Sequence, residues 1–370
     1  MQHFFITNRA IVKRNGKEYV NEDGSESAGE NMRCGIFDSK AYKKNNKPSL
    51  SISLFRDFKA EDRHEATYNQ PPSPYNISDL ANPGQLVGSA RLFTEMYNAM
   101  SGPAGGDLLF FIHGYQNDLP DVLETVCTLE KKYIHARSPI KHIIFFTWPA
   151  MKKVLRYRSD AKDAELSGLT LARYYLMLID FFRAMFLKAP GTDIKPLDPC
   201  GNNIHLLAHS MGNRVLENML IELSRQKGEN ITALFREVVM ASADVDWQSF
   251  EQHRPFYNLI NICQRATVYF HTRDVALLVS ETTKNAYNRL GKFGFRDFHK
   301  IPSHVYSVDC TGIEDQKEVF DDMVNHAYYT ESKKVVQDIL QVLSGINAED
   351  FVGKTRRSIP GNAAQYRLNT

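Results

Sequence analysis

Short uninterrupted apolar runs alternate with longer segments of helical period along most of this chain. Asp107–Ile112 (DLLFFI), His142–Thr147 (HIIFFT), Asn203–Ala208 (NIHLLA), Glu237–Ala241 (EVVMA), Ala266–Phe270 (ATVYF) and His304–Val308 (HVYSV) each predict a strand buried on both faces. Leu86–Met100, Leu119–Tyr133, Ala161–Leu187, Gly212–Arg225 and Ser332–Leu343 predict helices between and after them. Strands and helices in this alternation imply an α/β fold: a mostly parallel sheet with helices on both faces. No internal repeat interrupts the pattern.

The first 85 residues differ. Phe4–Thr7 and Ile11–Lys13 are short strand-like runs, and Asn15-Gly16 marks a hairpin turn. Asn21–Asn31 is polar and predicts a loop. Ser49–Phe55 alternates apolar with Ser, as a half-buried strand does, and Asp57–Gln85 is charged, then proline-rich. We therefore expect residues 1–85 to form a β accessory region of the same domain, residues 86–346 the α/β core, and residues 347–370 a C-terminal tail. The helix over Leu171–Leu187 is apolar on most sides. Burial between the sheet and a neighbouring segment explains it better than contact with a membrane, because Arg173, Asp180 and Arg183 interrupt it.

Composition narrows the functional classes. The chain has 370 residues, 43% of them hydrophobic, which supports a large core. Lys plus Arg number 45 and Asp plus Glu 43, leaving a net charge of +2 and no reason to expect a nucleic acid partner. The opening residues do not read as a secretory signal, and no uncharged apolar run is long enough to span a bilayer. The five cysteines, Cys34, Cys127, Cys200, Cys263 and Cys310, are scattered and unpaired in pattern. A cytoplasmic location is the expectation, so the sequons at Asn76 and Asn230 carry little meaning.

The chemistry concentrates where predicted strands end. Ala208-His209-Ser210-Met211-Gly212 joins an apolar strand to a helix. A serine in small-x-Ser-x-Gly context sits on a sharp turn, its hydroxyl above the carboxyl end of the sheet and beside helix N–H groups. Ser210 is therefore the candidate nucleophile, with Ala208 standing where glycine is usual. A second strand ends in Ile112-His113-Gly114-Tyr115, and the loop there can offer a backbone donor to a developing oxyanion. The amides of Tyr115 and Met211 are the candidate oxyanion hole, and the His113 side chain is expected to hold the loop. An acid and then a base should follow the serine in loops after later strands. Asp274 and His326 meet that order, with Asp244 and Asp246 as alternative acids. His253, His299 and His304 lie in less suitable positions. No HExxH, paired CxxC, phosphate-cradling GxxxxGK[ST] or strand-coupled GxGxxG appears, so neither a metal nor a cofactor is expected. Tyr115, Trp148, Phe181 and Phe182 hint at an apolar acyl group.

These residues carry a resemblance. Thr7-Asn8-Arg9, FIHGYQN over Phe111–Asn117, Thr147-Trp148-Pro149 with Tyr157 and Asp160, and AHSMGNR over Ala208–Arg214 look like successive motifs of one family. ASADVD over Ala241–Asp246 resembles a further motif, with Ser242-Ala243 where Ala-Pro is usual. Asp274–Leu277 with Arg289-Leu290-Gly291, and Asn325–Tyr329, are similar to its acid- and histidine-bearing segments. Together they resemble a bacterial α/β-hydrolase family, esterase- or lipase-like, most of whose members have no assigned substrate. The likeness covers nearly the whole chain. It implies a serine hydrolase acting on a small-molecule or lipid ester through Ser210, Asp274 and His326. A thioesterase or amidase using the same triad, or a non-catalytic binding module on the same fold, is the alternative.

Overall fold

The computed structural model describes residues 1–24, 32–57, 83–150, 157–186, 201–228, 230–278, 287–315, 325–351 and 354–369. Most of the proline-rich connection before Gln85, part of the Asn21–Asn31 segment, Leu187 and Cys200 lie outside them.

Every apolar run singled out above is a strand. β6 (Asp107–Ile112), β7 (Ile140–Thr147), β8 (Ile204–His209), β9 (Phe235–Ala241), β10 (Cys263–Phe270) and β11 (Val305–Asp309) are parallel neighbours in the spatial order β11-β10-β9-β8-β6-β7. Their side chains alternate between two apolar cores. Leu108, Phe110 and Ile112 pack on one face with α2 (Gly88–Ser101), α4 (Tyr157–Phe186) and α5 (Gly212–Lys227). Leu109 and Phe111 pack on the other with α3 (Leu119–Tyr133) and α8 (Lys333–Leu343). Burial on both faces is why these strands read as continuous apolar runs. The apolar α4 packs against α5, with Leu171, Tyr175, Leu178 and Phe182 buried. Among the described residues no helix is long and apolar enough to cross a membrane.

The N-terminal strands continue this sheet. β1 (Gln2–Thr7) lies parallel to β7, and β4 (Arg33–Asp38) and β5 (Ile52–Leu54) add antiparallel beyond it. Among the described residues only β2 (Ile11–Arg14) and β3 (Lys17–Val20) stand apart from the sheet, as the hairpin that Asn15-Gly16 predicts. Of Ser49–Phe55, only Ile52–Leu54 is strand.

Part of the segment read from the sequence as a tail, residues 347–370, also pairs into the sheet. β12 (Arg356–Ile359) and β13 (Asn362–Leu368) form a hairpin whose β13 runs parallel to β11, completing eleven strands. An ion pair buried beneath the hairpin secures it. Arg356 binds both carboxylate oxygens of Asp338 on α8 and donates to the Tyr269 hydroxyl on β10. Tyr269 donates to Asp338 at 2.6 Å, and Thr355 donates to the same carboxylate. Both members of the pair are buried. Removing one leaves the other charge buried without its counter-ion, at a cost of about 3–5 kcal/mol. Arg356→Met should therefore lower stability by about 3–5 kcal/mol in urea unfolding. A loss below about 1 kcal/mol would show that the hairpin is not anchored by this pair.

Candidate active site

The turn between β8 and α5 is sharp, with no residue between the last strand position, His209, and the helix start except Ser210 and Met211. Ser210 adopts a left-handed backbone, φ 52°, although it has a Cβ. Such a conformation costs a non-glycine residue about 1–2 kcal/mol. Neighbouring groups hold it: the Ser210 amide donates to Ala241 O at 3.0 Å, and the amides of Asn213 and Asp244 donate to Ser210 O. Gly212 is dictated by close approach, since a Cβ there would lie 2.6 Å from His113 O and 2.7 Å from Ile112 O. Gly114 faces the serine in turn, and a Cβ on it would meet the Ser210 Cβ at 2.8 Å. The β6 loop and the β8 turn are thus pressed together through two glycines. Ala208, in place of the usual glycine, is buried in the core with its methyl accommodated.

The candidate oxyanion donors belong to these two segments. Among the described residues the Met211 amide has no hydrogen-bond acceptor, and it opens helix α5, where N–H groups favour negative charge. His113 acts on the loop as expected. Its Nδ1 lies 2.8 Å from Gly114 O, its Nε2 accepts from the Trp148 amide at 3.1 Å, and its ring stacks on the Trp148 indole. That pairing fixes the neutral tautomer with the proton on Nδ1. Burial, then the nearby Arg9 charge, pushes the His113 pKa down to about 3. Trp148, Phe181 and Phe182, read as hints of an acyl pocket, are buried core residues.

Asp274 and His326, 52 residues apart, meet directly. His326 Nδ1 lies 2.8 Å from Asp274 Oδ2 and 3.0 Å from Oδ1, with both side chains buried. Asp274 sits at the end of β10 and starts a helical turn, its Oδ1 accepting the Leu277 amide. The backbone of His326 is gripped as well. Its carbonyl accepts from Ser242 Oγ at 2.8 Å and lies 3.2 Å from His209 Nε2. The His209 and His326 rings are 4.7 Å apart, so the imidazole stands beside the residue preceding the serine. Among the described residues no hydrogen bond joins Ser210 Oγ to His326. Such contacts are often long in free enzymes and tighten with substrate.

The alternative acids are engaged elsewhere. Asp244 forms a buried ion pair with Arg289, 3.1 Å from Oδ1 to Nε. Asp246 Oδ1 accepts the Gln248 amide, closing a local turn. Three residues that lie in the motifs but were given no role also shape the site: His209, Ser242 and Tyr328. The Tyr328 hydroxyl donates to Tyr269 O and accepts from the Ser242 amide, tying the ends of β9 and β10 to the histidine segment. The available signals were the Ser242-Ala243 departure and the tyrosine pair beside His326.

The family model described as "Alpha/beta hydrolase of unknown function (DUF900)" matches residues 90–184 and 192–343. The chain belongs to this family. The matched residues include Ser210, Asp274, His326 and both oxyanion candidates, but neither Arg9 nor the C-terminal hairpin. Uncharacterized protein alr1448 of Nostoc sp. (strain PCC 7120 / SAG 25.82 / UTEX 2576) is 26% identical over 250 residues, 55% of this chain and 59% of that protein. The chain thus spans less than two thirds of that relative. A solved "putative cell surface hydrolase" from Lactobacillus plantarum WCFS1 aligns with 66% of this chain and 94% of its own, at 12% identity and TM-score 0.35.

The buried histidines make folding sensitive to acid. Unfolded His113 gains its proton near 6.5, the folded one only near about 3; His271 is similarly lowered by burial, then by Arg273, to about 4. Between those values the unfolded chain binds the extra proton. Their contribution is intact above pH 6.5 and is lost as pH falls toward 3. Urea midpoints should fall steadily below about pH 6.5. Nitrogen-15 spectra at about pH 5 should show His113 neutral with its proton on Nδ1; an imidazolium signal there refutes the assignment.

Proposed function

We propose that this α/β-hydrolase family member cleaves carboxylic esters through an acyl-enzyme on Ser210, with His326 as base and Asp274 as acid. The observation that carries the reading is the short Asp274–His326 contact beside a serine held in a left-handed strand-to-helix turn. Asp274 accepts the His326 Nδ1 proton, leaving Nε2 free to take the proton from Ser210 Oγ. The hydroxyl oxygen then attacks the ester carbonyl. The Met211 and Tyr115 amides receive the negative charge of the tetrahedral intermediate, each worth about 3 kcal/mol to the transition state. His326 returns its proton to the departing alcohol, and water, activated by the same imidazole, releases the acid and restores Ser210. A neutral His209 suits this cycle. Burial, then the neighbouring His326, holds its pKa well below the usual histidine value, so it does not oppose the imidazolium that His326 becomes. The same machinery would accept thioesters.

Wild-type protein should be labelled by a fluorophosphonate at one serine and should hydrolyse p-nitrophenyl esters; Ser210→Ala should do neither. Wild-type protein inert to both reagents would exclude the reading. Asp274→Asn should lower kcat by about 10⁴-fold through the wrong histidine tautomer. Asp244→Asn should lower stability while leaving kcat within about tenfold, because its carboxylate holds Arg289 instead. The reverse ranking of these two variants would reassign the acid.

A further inference from the structure

The direction of the Tyr115 amide is set by a chain of hydrogen bonds that begins in its own loop and reaches Arg9, outside the matched family segment. A trans peptide is planar, with its C=O and N–H on opposite sides. Holding Gly114 O therefore aims Tyr115 N–H the other way. Two donors hold that oxygen: His113 Nδ1 at 2.8 Å and Asn117 Nδ2 at 3.2 Å. The same Asn117 Nδ2 donates to Tyr115 O at 2.7 Å, so one carboxamide spans two successive carbonyls. Between them Gln116 takes a left-handed backbone, φ 58°, which a residue with a Cβ keeps only when its surroundings impose it.

Asn117 is itself anchored by Arg9. The Arg9 Nη2 donates to Asn117 O at 2.8 Å, and its Nε donates to Thr147 Oγ1 at 2.8 Å. Thr7 Oγ1 donates to Thr147 O at 2.7 Å and accepts the Arg9 amide at 3.0 Å. The guanidinium thus rests on the carboxyl ends of β1 and β7 and reaches across to the β6 loop. Glu22 O adds a second anchor, accepting the Leu119 amide at 2.8 Å and facing Arg9 Nη1 at 3.4 Å. Arg9 is fully buried, and burial pulls its pKa down to about 10, so its charge is retained at neutral pH. A planar fork with donors in several directions suits this junction, and a lysine ammonium could not span it.

We propose that Arg9 and Asn117 are positioning residues that aim the Tyr115 amide at the oxyanion, making the N-terminal segment part of the active site. The proposal rests on the hydrolase reading above. It gives the N-terminal region a role beyond extending the sheet: the connection between β1 and β2 carries the arginine that sets one oxyanion donor.

Asn117→Ala removes the bridging carboxamide without emptying a core position. In the full-length chain it should lower kcat for a p-nitrophenyl ester by about 10²-fold, since a small misplacement of a catalytic group costs that much. KM should stay within about twofold, because the donor acts on the transition state rather than on bound ester. The thermal midpoint should hardly move, while amide hydrogen exchange over residues 113–117 should quicken. Arg9→Lys should show the same split if it folds; Asn117→Ala decides the matter if it does not. Unchanged exchange over residues 113–117 in Asn117→Ala, or a loss confined to KM, overturns the proposal. Wild-type protein that fails to react with the phosphonate overturns the hydrolase reading instead, and the exchange experiment separates the two failures.

Discussion

The site depends on a strained serine that cannot relax. A left-handed backbone at Ser210 is unfavourable in isolation, and the β8–α5 turn would open without something to close it. The closing force is the parallel sheet. The Ser210 amide is bonded to the end of β9, and its carbonyl is held by amides from α5 and from the loop after β9. Two glycines let the β6 loop come near enough to wall the turn from the other side. The apolar packing that buries both sheet faces therefore also stores the strain that lifts a hydroxyl above the carboxyl edge.

The candidate base is held differently. Ser210 lies on one short turn, but His326 arrives from far along the chain and needs independent anchors. Its side chain is fixed by Asp274 and its main chain by Ser242 and His209, so orientation and position are set by separate groups. Ser242 too is left-handed, φ 46°, which turns its hydroxyl toward the histidine segment. The adjoining ends of β8 and β9 thus each carry a serine in this conformation, one as candidate nucleophile and one as a clamp on the candidate base.

Much of this was legible in the sequence, for a physical reason. Strands buried on both faces leave long apolar runs, and the six central ones were read with boundaries near those observed. The Ser210 turn was legible because close approach demands small residues at fixed offsets; strand order made Asp274 and His326 candidates but left Asp244 and Asp246 open as alternative acids. The rest depends on contacts between remote segments. Nothing near Arg9 announces that its guanidinium reaches Asn117, and nothing in ASADVD says which carboxylate meets a histidine and which meets Arg289. The C-terminal hairpin was missed although Pro360-Gly361 is a turn signal. The flanking runs are short and charged, and Arg356 reads as a surface residue until its pairing with Asp338 is seen.

A histidine paired with a carboxylate is not by itself evidence of catalysis, and this fold contains its own control. His205 Nε2 lies 2.9 Å from Asp107 Oδ2, nearly the spacing of the His326–Asp274 pair, and His205 is as deeply buried. That pair sits at the amino ends of β8 and β6, where Asp107 also accepts the Asn203 amide. Among the described residues the left-handed serines are Ser210 and Ser242, which follow the carboxyl ends of β8 and β9; the His205–Asp107 pair closes the start of two strands. His326–Asp274 lies at the opposite edge, where the strands deliver their carboxyl ends and α5 presents its first amides. The polarity of a parallel sheet makes its two edges chemically unlike. The same pair of side chains is therefore a structural tie at one edge and a candidate acid and base at the other.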